Sequence, residues 1–287
     1  MKLLIEPSNK QNLYQETVDG LVLSLKDYAV QSPIYYTIEE IKQIKKQNPN
    51  LEIYININKN ILNSDIEPLK KLLQELDKLN INGIFFYDLA LLKLKKDLNL
   101  KTELVWSQTH MVNNYKTCNY YHSKGVKYAL LGKEITLEEI IEIIKNATIT
   151  PMVEVLGLPS VAFSKRKLIT NYYKDLNKKP KSVLDVVEKV TDSVYELTED
   201  ANGTSFFLKD LVNGTNVIKD LFNAGLQYII MRGYGLEEEL FKEILIDTKK
   251  YISNSCEDSS YVEKYQKLGN NTNFFFKKTI YQVKKNG

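Results

Sequence analysis

Short apolar runs alternate with amphipathic stretches along most of the chain. Eight runs have the length and β-rich character of strands: Lys2–Ile5, Gly20–Leu23, Leu51–Ile57, Gly83–Phe86, Glu103–Trp106, Tyr128–Leu131, Met152–Leu156 and Gln227–Met231. Most are continuous rather than alternating, the pattern of parallel strands covered on both faces. The helices between them have readable starts. Thr37-x-x-Glu40, Ser64-x-x-Glu67 and Thr136-x-x-Glu139 have capping-box spacing, in which hydroxyl and carboxylate take up the first unpaired N–H groups. Ile66, Leu69, Leu72, Leu73, Leu76 and Leu79 then form one apolar stripe, with Asn80 as its stop. Further helices are expected at Leu89–Lys96, Asn113–Lys124 and Leu236–Tyr251. This repetition predicts an α/β chain folded as a (β/α)8 TIM-type barrel, with an open doubly wound sheet as the alternative.

The rhythm breaks once. Roughly 70 residues separate the seventh and eighth runs, far more than one helix needs. The expected organisation is a barrel over residues 1–252 with an insertion at 157–225, followed by an appendix at 253–287. The insertion holds Ser164–Tyr173 and the Lys/Pro stretch Lys178–Lys181. A helix is expected near Val183–Val190, then a hairpin pairing Ser193–Leu197 with Thr204–Leu208, then a helix near Leu211–Asn223. Large insertions after barrel strands sit on the catalytic face. In the appendix, residues 254–273 read as a polar loop. Residues 274–287 interleave Phe274, Phe275, Phe276 and Tyr281 with Lys277, Lys278, Lys284 and Lys285. That mixture suits stacking on single-stranded RNA, or an edge strand guarded by lysine.

Composition narrows the classes. With 43% hydrophobic and 26% charged residues in 287, the chain is neither disordered, collagen-like nor a coiled coil. No run of 18 uncharged apolar residues is present, and the start, with four apolar residues before Glu6, is too short for a signal peptide, so a cytoplasmic location is expected. Two cysteines, Cys118 and Cys256, cannot supply a four-thiolate iron–sulfur cluster, and His110 and His122 complete no zinc pattern. No metal is expected on this chain. The net charge of +3 is too small to declare a nucleic-acid partner. More telling, Arg166 and Arg232 are the only arginines among 39 basic residues. A retained arginine offers the planar fork that lysine lacks.

If the barrel forms, the strand ends bring Glu6, Asn56, Asn58, Asp88, Gln108, His110, Asn113, Glu134 and Arg232 to one rim. Gln108, His110 and Glu134 are the candidate catalytic groups; Glu6, Asn56, Asn58, Asp88, Asn113 and Arg232 are candidates for binding an anionic substrate. Asp88 has the alternative of capping the helix after it, and Glu134 that of pairing with Lys133. No GxSxG elbow, Walker loop or GxGxxG is present.

Several segments together resemble the peptidase U32 family. They are Trp106–Asn114, the pair Gly125-Val126 with the block Leu130–Ile140, and Asn202-Gly203-Thr204 with Lys209-Asp210-Leu211. Gly225, Met231-Arg232-Gly233 and the tail Phe275–Tyr281 extend the similarity nearly end to end. Members of this family are associated with oxygen-independent hydroxylation of tRNA wobble uridine, ribosomal RNA and ubiquinone precursors, and many carry four cysteines for an iron–sulfur cluster. This chain has Leu156, Ser160 and Lys165 where His and Cys are expected, so it resembles a short, cluster-free bacterial member of a paralogue pair. Its Phe163–Tyr172 segment keeps the pattern of that branch, which adds Arg166, Asn171 and Tyr172 to the binding candidates. The resemblance implies a subunit of a wobble-uridine 5-hydroxylation system that binds tRNA, or prephenate as the hydroxyl source. The cluster is then expected only on a Cys-bearing paralogue, and Lys277, Lys278 and Lys284 become RNA-binding candidates. The alternatives are a U32-type peptidase and a non-catalytic barrel that stabilises its paralogue.

Overall fold

The computed structural model describes residues 1–108, 110–254, 258–269 and 275. Seven parallel strands come first: β1 (Lys2–Glu6), β2 (Gly20–Ser24), β3 (Glu52–Ile57), β4 (Gly83–Phe86), β5 (Glu103–Trp106), β6 (Tyr128–Leu130) and β7 (Thr150–Gly157). An insertion follows, with β8 (Ser160–Ser164), β9 (Val183–Val187), β10 (Val194–Glu199) and β11 (Thr204–Leu208). The short β12 (Val212–Asn213) returns antiparallel along β7, and β13 (Tyr228–Arg232) completes the set. β13 pairs in parallel with both β7 and β1, and β6 pairs with β7. The eight parallel strands therefore close into a (β/α)8 barrel.

Around it run α1 (Ile38–Gln47), α2 (Ile66–Lys78), α3 (Ala90–Asp97), α4 (Tyr115–Ser123) and α5 (Leu137–Asn146). α6 (Leu168–Asp175) belongs to the insertion, and α7 (Ile218–Asn223), α8 (Glu238–Ile252) and α9 (Asp258–Tyr265) complete the chain order. Thr37 and Thr136 form their capping boxes with Glu40 and Glu139. The box expected at Ser64 does not form. Asn63–Asp65 make a 3-10 turn instead, and Asp65 Oδ2 accepts the Leu62 N–H at 3.0 Å, so the aspartate does the capping.

Three further expectations change. Val183–Val190 is not helical: its Val183–Val187 part is strand β9, paired antiparallel with β10. The helix near Leu211–Asn223 is reduced to α7 and a 3-10 turn at Thr215–Val217, because Val212 and Asn213 are held on β7. The loop expected at 254–273 contains helix α9, whose Tyr261 stacks on Tyr251 with ring centroids 4.2 Å apart. The hairpin in the insertion is present as β10 and β11.

Side chains alternate along each strand, so every second residue enters the barrel. Tyr54, Tyr128, Tyr228 and Met152 fill its lower interior, the tyrosines edge to face with centroids 5.6–6.5 Å apart. Leu4, Val22, Phe85, Leu130 and Ile230 join them in one buried cluster. Two residues further along the chain, the inward positions turn polar: Leu4 gives way to Glu6, Val22 to Ser24, Tyr54 to Asn56, Val105 to Ser107, Met152 to Glu154 and Ile230 to Arg232. The apolar layers hold the barrel shut, each buried aliphatic side chain contributing about 1.5–3 kcal/mol. The polar layer is the mouth.

Candidate functional site at the barrel mouth

The mouth is built on four ionisable side chains. Glu154 of β7 is almost fully buried, and Lys133, just beyond β6, donates to its Oε1 at 2.5 Å. Arg232, the last residue of β13, reaches both acids. Its Nη1 lies 3.1 Å from Glu6 Oε2 and its Nε 2.8 Å from Glu154 Oε2. The second contact is an ion pair in which the N–H does not point at the oxygen, so both atoms keep unused hydrogen-bonding capacity. Glu6 is completed by two hydroxyls: Ser32 Oγ donates to its Oε1 at 2.9 Å and Ser24 Oγ at 3.3 Å. Asn56 in turn donates its Nδ2 to Ser24 Oγ.

Burial opposes every charge here, and the neighbours decide the outcome. Burial pushes the Glu154 carboxyl up, but Arg232 and Lys133 outweigh it and hold the group below the ordinary carboxylate range. Burial pulls the Arg232 guanidinium down, and Glu154 and Glu6 more than restore it. For Lys133, burial together with repulsion from Arg232 outweighs Glu154 and Glu6, and its ammonium is held below the ordinary lysine value. Two cations and two anions make the set formally neutral.

Gly157 makes room for this arrangement. Its φ of +152° is unfavourable for a side chain, and a Cβ there would stand 2.8 Å from the Cβ of Arg232. Glu6, Lys133 and Arg232, with Asn56, Ser107 and Ser160, line a cavity of about 50 Å³ that also touches Val22 and Phe85 of the apolar layer. A cavity of that size has room for roughly three to five waters, or for one carboxylate.

The insertion roofs the mouth. Ser205 Oγ of β11 accepts the Gln31 N–H at 3.2 Å, and Asn202 Nδ2 donates to Ala29 O at 3.4 Å. Tyr234, after β13, donates its hydroxyl to Glu196 of β10, and its ring packs against Phe207 of β11. Tyr35, beside the roof, has its hydroxyl pushed above the usual tyrosine range by burial and by Asp200 at the hairpin tip.

Peptidase family U32 describes the profile that matches residues 7–282, nearly the whole length. The chain belongs to peptidase family U32. A relative at 25% identity over 305 residues is the tRNA hydroxylation protein P2 of Bacillus subtilis (strain 168), the match spanning 98% of this chain and 99% of that protein. Among solved structures, the U32 chain is similar to 3-hexulose-6-phosphate synthase from Salmonella typhimurium at 12% identity and a TM-score of 0.47, over 87% of this chain and 98% of that one. It is also similar to a chain of the tryptophan synthase complex from Pyrococcus furiosus at 9% identity and a TM-score of 0.45, over 96% and 97%.

The expected site residues of this U32 barrel divide into three groups. Glu6, Asn56 and Arg232 meet in the mouth, with Asn58 on the cavity wall, where it also accepts the Val30 N–H and donates to Val30 O. A second group does structural work at the rim. Asp88 accepts from the Ala90 and Ile61 N–H groups, Gln108 accepts from Trp106 Nε1 and donates to Tyr87 O, and Asn113 donates to His110 O. Beside them His110 and Glu134 face each other in the open, with Nδ1 3.7 Å from Oε1. The third group lies on the insertion: Arg166, Asn171 and Tyr172 are exposed, and none lines the cavity. Lys277, Lys278 and Lys284 lie outside the described residues. Cys118 is buried under the helices, where burial pushes its thiol up to about 11.

Reading the sequence alone passed over Glu154, Lys133, Ser24 and Ser32 as site residues, while Ser107 was already legible as one of the groups at the end of β5. Glu154 sits inside the apolar run Met152–Leu156, and its signal is the period of two: one acid at an inward position of an otherwise apolar strand. The same period links Glu6, Ser24, Asn56 and Arg232.

Proposed function

We propose that this chain serves in the hydroxylation of tRNA, binding a small carboxylate at its barrel mouth beside a cluster-bearing relative. The observation that carries this reading is the end-to-end match to a tRNA hydroxylation protein. The mouth supports it with two cations converging on a space that takes a carboxylate. Prephenate is the proposed hydroxyl source. Its ring exceeds the cavity, so one carboxylate enters beside Arg232 and Lys133 while the ring lies higher, under the insertion.

The neutrality of the four charges sets a condition. An incoming carboxylate adds a negative charge that nothing in the set offsets, unless a proton enters with it. Binding of prephenate is therefore linked to uptake of about one proton and weakens as the pH rises. Titration calorimetry in two buffers of different ionisation enthalpy reads that proton directly.

The decisive experiment is nucleoside mass spectrometry of tRNA from a deletion strain, complemented with the wild-type gene or with Arg232→Leu. Loss of 5-hydroxyuridine on deletion, restored by wild type and not by the variant, supports the reading. Unchanged 5-hydroxyuridine in the deletion strain overturns it.

A further inference from the structure

Charge is unevenly spread over the barrel. Residues 90–127, from the start of α3 to the start of β6, carry seven lysines against Asp97 and Glu103, a net charge of +5 where the whole chain has +3. The neighbouring stretch, residues 128–157, carries five acids against two lysines. Within the barrel this side is basic and is bounded by the acidic helix α5; a second basic stretch, residues 165–181, lies on the insertion.

The arrangement within that side is specific. Lys116, Tyr120 and Lys124 follow one another at intervals of four, so they form a single stripe down α4, and all three are exposed. Tyr120 is 58% exposed, unusual for so large a ring, and the Lys124 ammonium lies 5.1 Å from its centroid. Alongside runs a groove of about 390 Å³ lined by Leu92, Lys95, Lys96, Asn99, Leu100, Lys124 and Gly125. The two acids are already engaged, Asp97 by Lys93 and Glu103 by Lys95 and Lys127. Lys96, Lys101, Lys116 and Lys124 have no acidic partner among the described residues.

We infer that the α3–α4 side is a docking surface for RNA, with the unpaired lysines on the phosphates and Tyr120 under a base. Lysines spaced along a helix follow a phosphate backbone, and an open aromatic ring among them supplies the stacking platform that single-stranded segments use. An acidic protein would satisfy the charge but leaves the exposed ring without a role. Because α4 follows β5, it starts at the mouth, so an RNA held on this side has one end at the cavity. This inference rests on the tRNA reading above and adds where the RNA lies.

The test is fluorescence anisotropy with the full chain and a fluorescein-labelled 17-nucleotide RNA stem–loop whose seven-nucleotide loop contains uridine. The double variant Lys116→Glu/Lys124→Glu should weaken binding at least about tenfold and flatten its dependence on salt. Tyr120→Ala should weaken it roughly fivefold with the salt dependence unchanged, and Tyr120→Phe should restore it. Lys242→Glu, an exposed change on α8 across the barrel, should bind as wild type, and thermal melts of all variants confirm that they fold. Binding of the double variant within about twofold of wild type overturns the inference, as does an equal loss in Lys242→Glu. Loss of binding to polyglutamate with stem–loop binding intact would give the surface to an acidic protein and also overturn it. The tRNA reading itself is judged by nucleosides in the deletion strain, so either can fall alone.

Discussion

The barrel mouth and the insertion above it each carry one of the two arginines in the chain, and they use them in opposite ways. Arg232 stands at the end of β13 between two carboxylates, in a site where Gly157 is needed to clear its path. Arg166 follows β8 on the roof, exposed, and among the described residues its guanidinium makes no ion pair; only its backbone is used, the N–H on Ser164 Oγ and the carbonyl by Thr204 Oγ1. The contrast teaches that scarcity of arginine marks two different needs. A guanidinium buried beside acids keeps its charge where an ammonium in the same site is pulled toward neutrality, as Lys133 is. An exposed guanidinium has no such protection to offer and acts only on what arrives from outside.

The largest effect should come from breaking the buried set. Arg232→Ala leaves Glu154 with one weakened cation and Glu6 with only hydroxyls, and removing one member of a buried ion pair costs about 3–5 kcal/mol. Urea denaturation should show that loss, against less than about 0.5 kcal/mol for Arg166→Ala. Equal stability of the two variants would erase the contrast. Gly157→Ala should come next, at about 1–3 kcal/mol, because the new Cβ meets both an unfavourable φ and the Arg232 side chain.

The acid side of the stability profile gives a smaller, signed effect. The folded Glu154 carboxyl lies below its ordinary value of 4.5, so its contribution is complete above that pH and is lost as the pH falls through the folded value. Lys133 slopes the same way in a more alkaline window: its folded value lies below 10.5, so the unfolded chain binds more protons between the two and stability rises with pH there too. Glu154→Gln should be least stable relative to wild type near neutral pH, and the gap should narrow as the solution is acidified below about 4.5. A gap that stays constant down to pH 3 would mean that Glu154 is not held ionised by its neighbours.

How much of this was readable beforehand follows from the physics of each region. The eight barrel strands were legible because burial on both faces makes each one a continuous apolar run. The insertion was less so. Val183, Val186, Val187 and Val190 fall at helical spacing, yet the same β-branched residues suit a strand, and pairing with β10 decides for the strand. Part of the mouth was legible, since Glu6 and Arg232 end their strands and Asn56 is next to the end of its own. Glu154 was hidden because a charge inside an apolar run is read as an interruption, and only closure of the barrel shows that its position faces Arg232. Lys133 lay one residue from a named candidate, Glu134, and the structure gives the mouth to the lysine and the open rim to the acid.

The smallest effect on the folded protein, and the sharpest for the comparison, belongs to Arg166→Lys. With only backbone contacts to lose nothing from, the melting temperature should stay within about 1 °C of wild type. If the guanidinium grips an oxyanion of the RNA or of the small carboxylate with its planar fork, lysine keeps the charge and loses the two-point geometry. Hydroxylation in the complemented deletion strain should then fall about tenfold or more, the scale of one charged hydrogen bond. Arg166→Ala should do no less. Should Arg166→Lys sustain full 5-hydroxyuridine levels while Arg166→Ala does not, the roof arginine acts as a point charge. In that case the need for a guanidinium is confined to the mouth, where burial beside Glu154 and Glu6 imposes it.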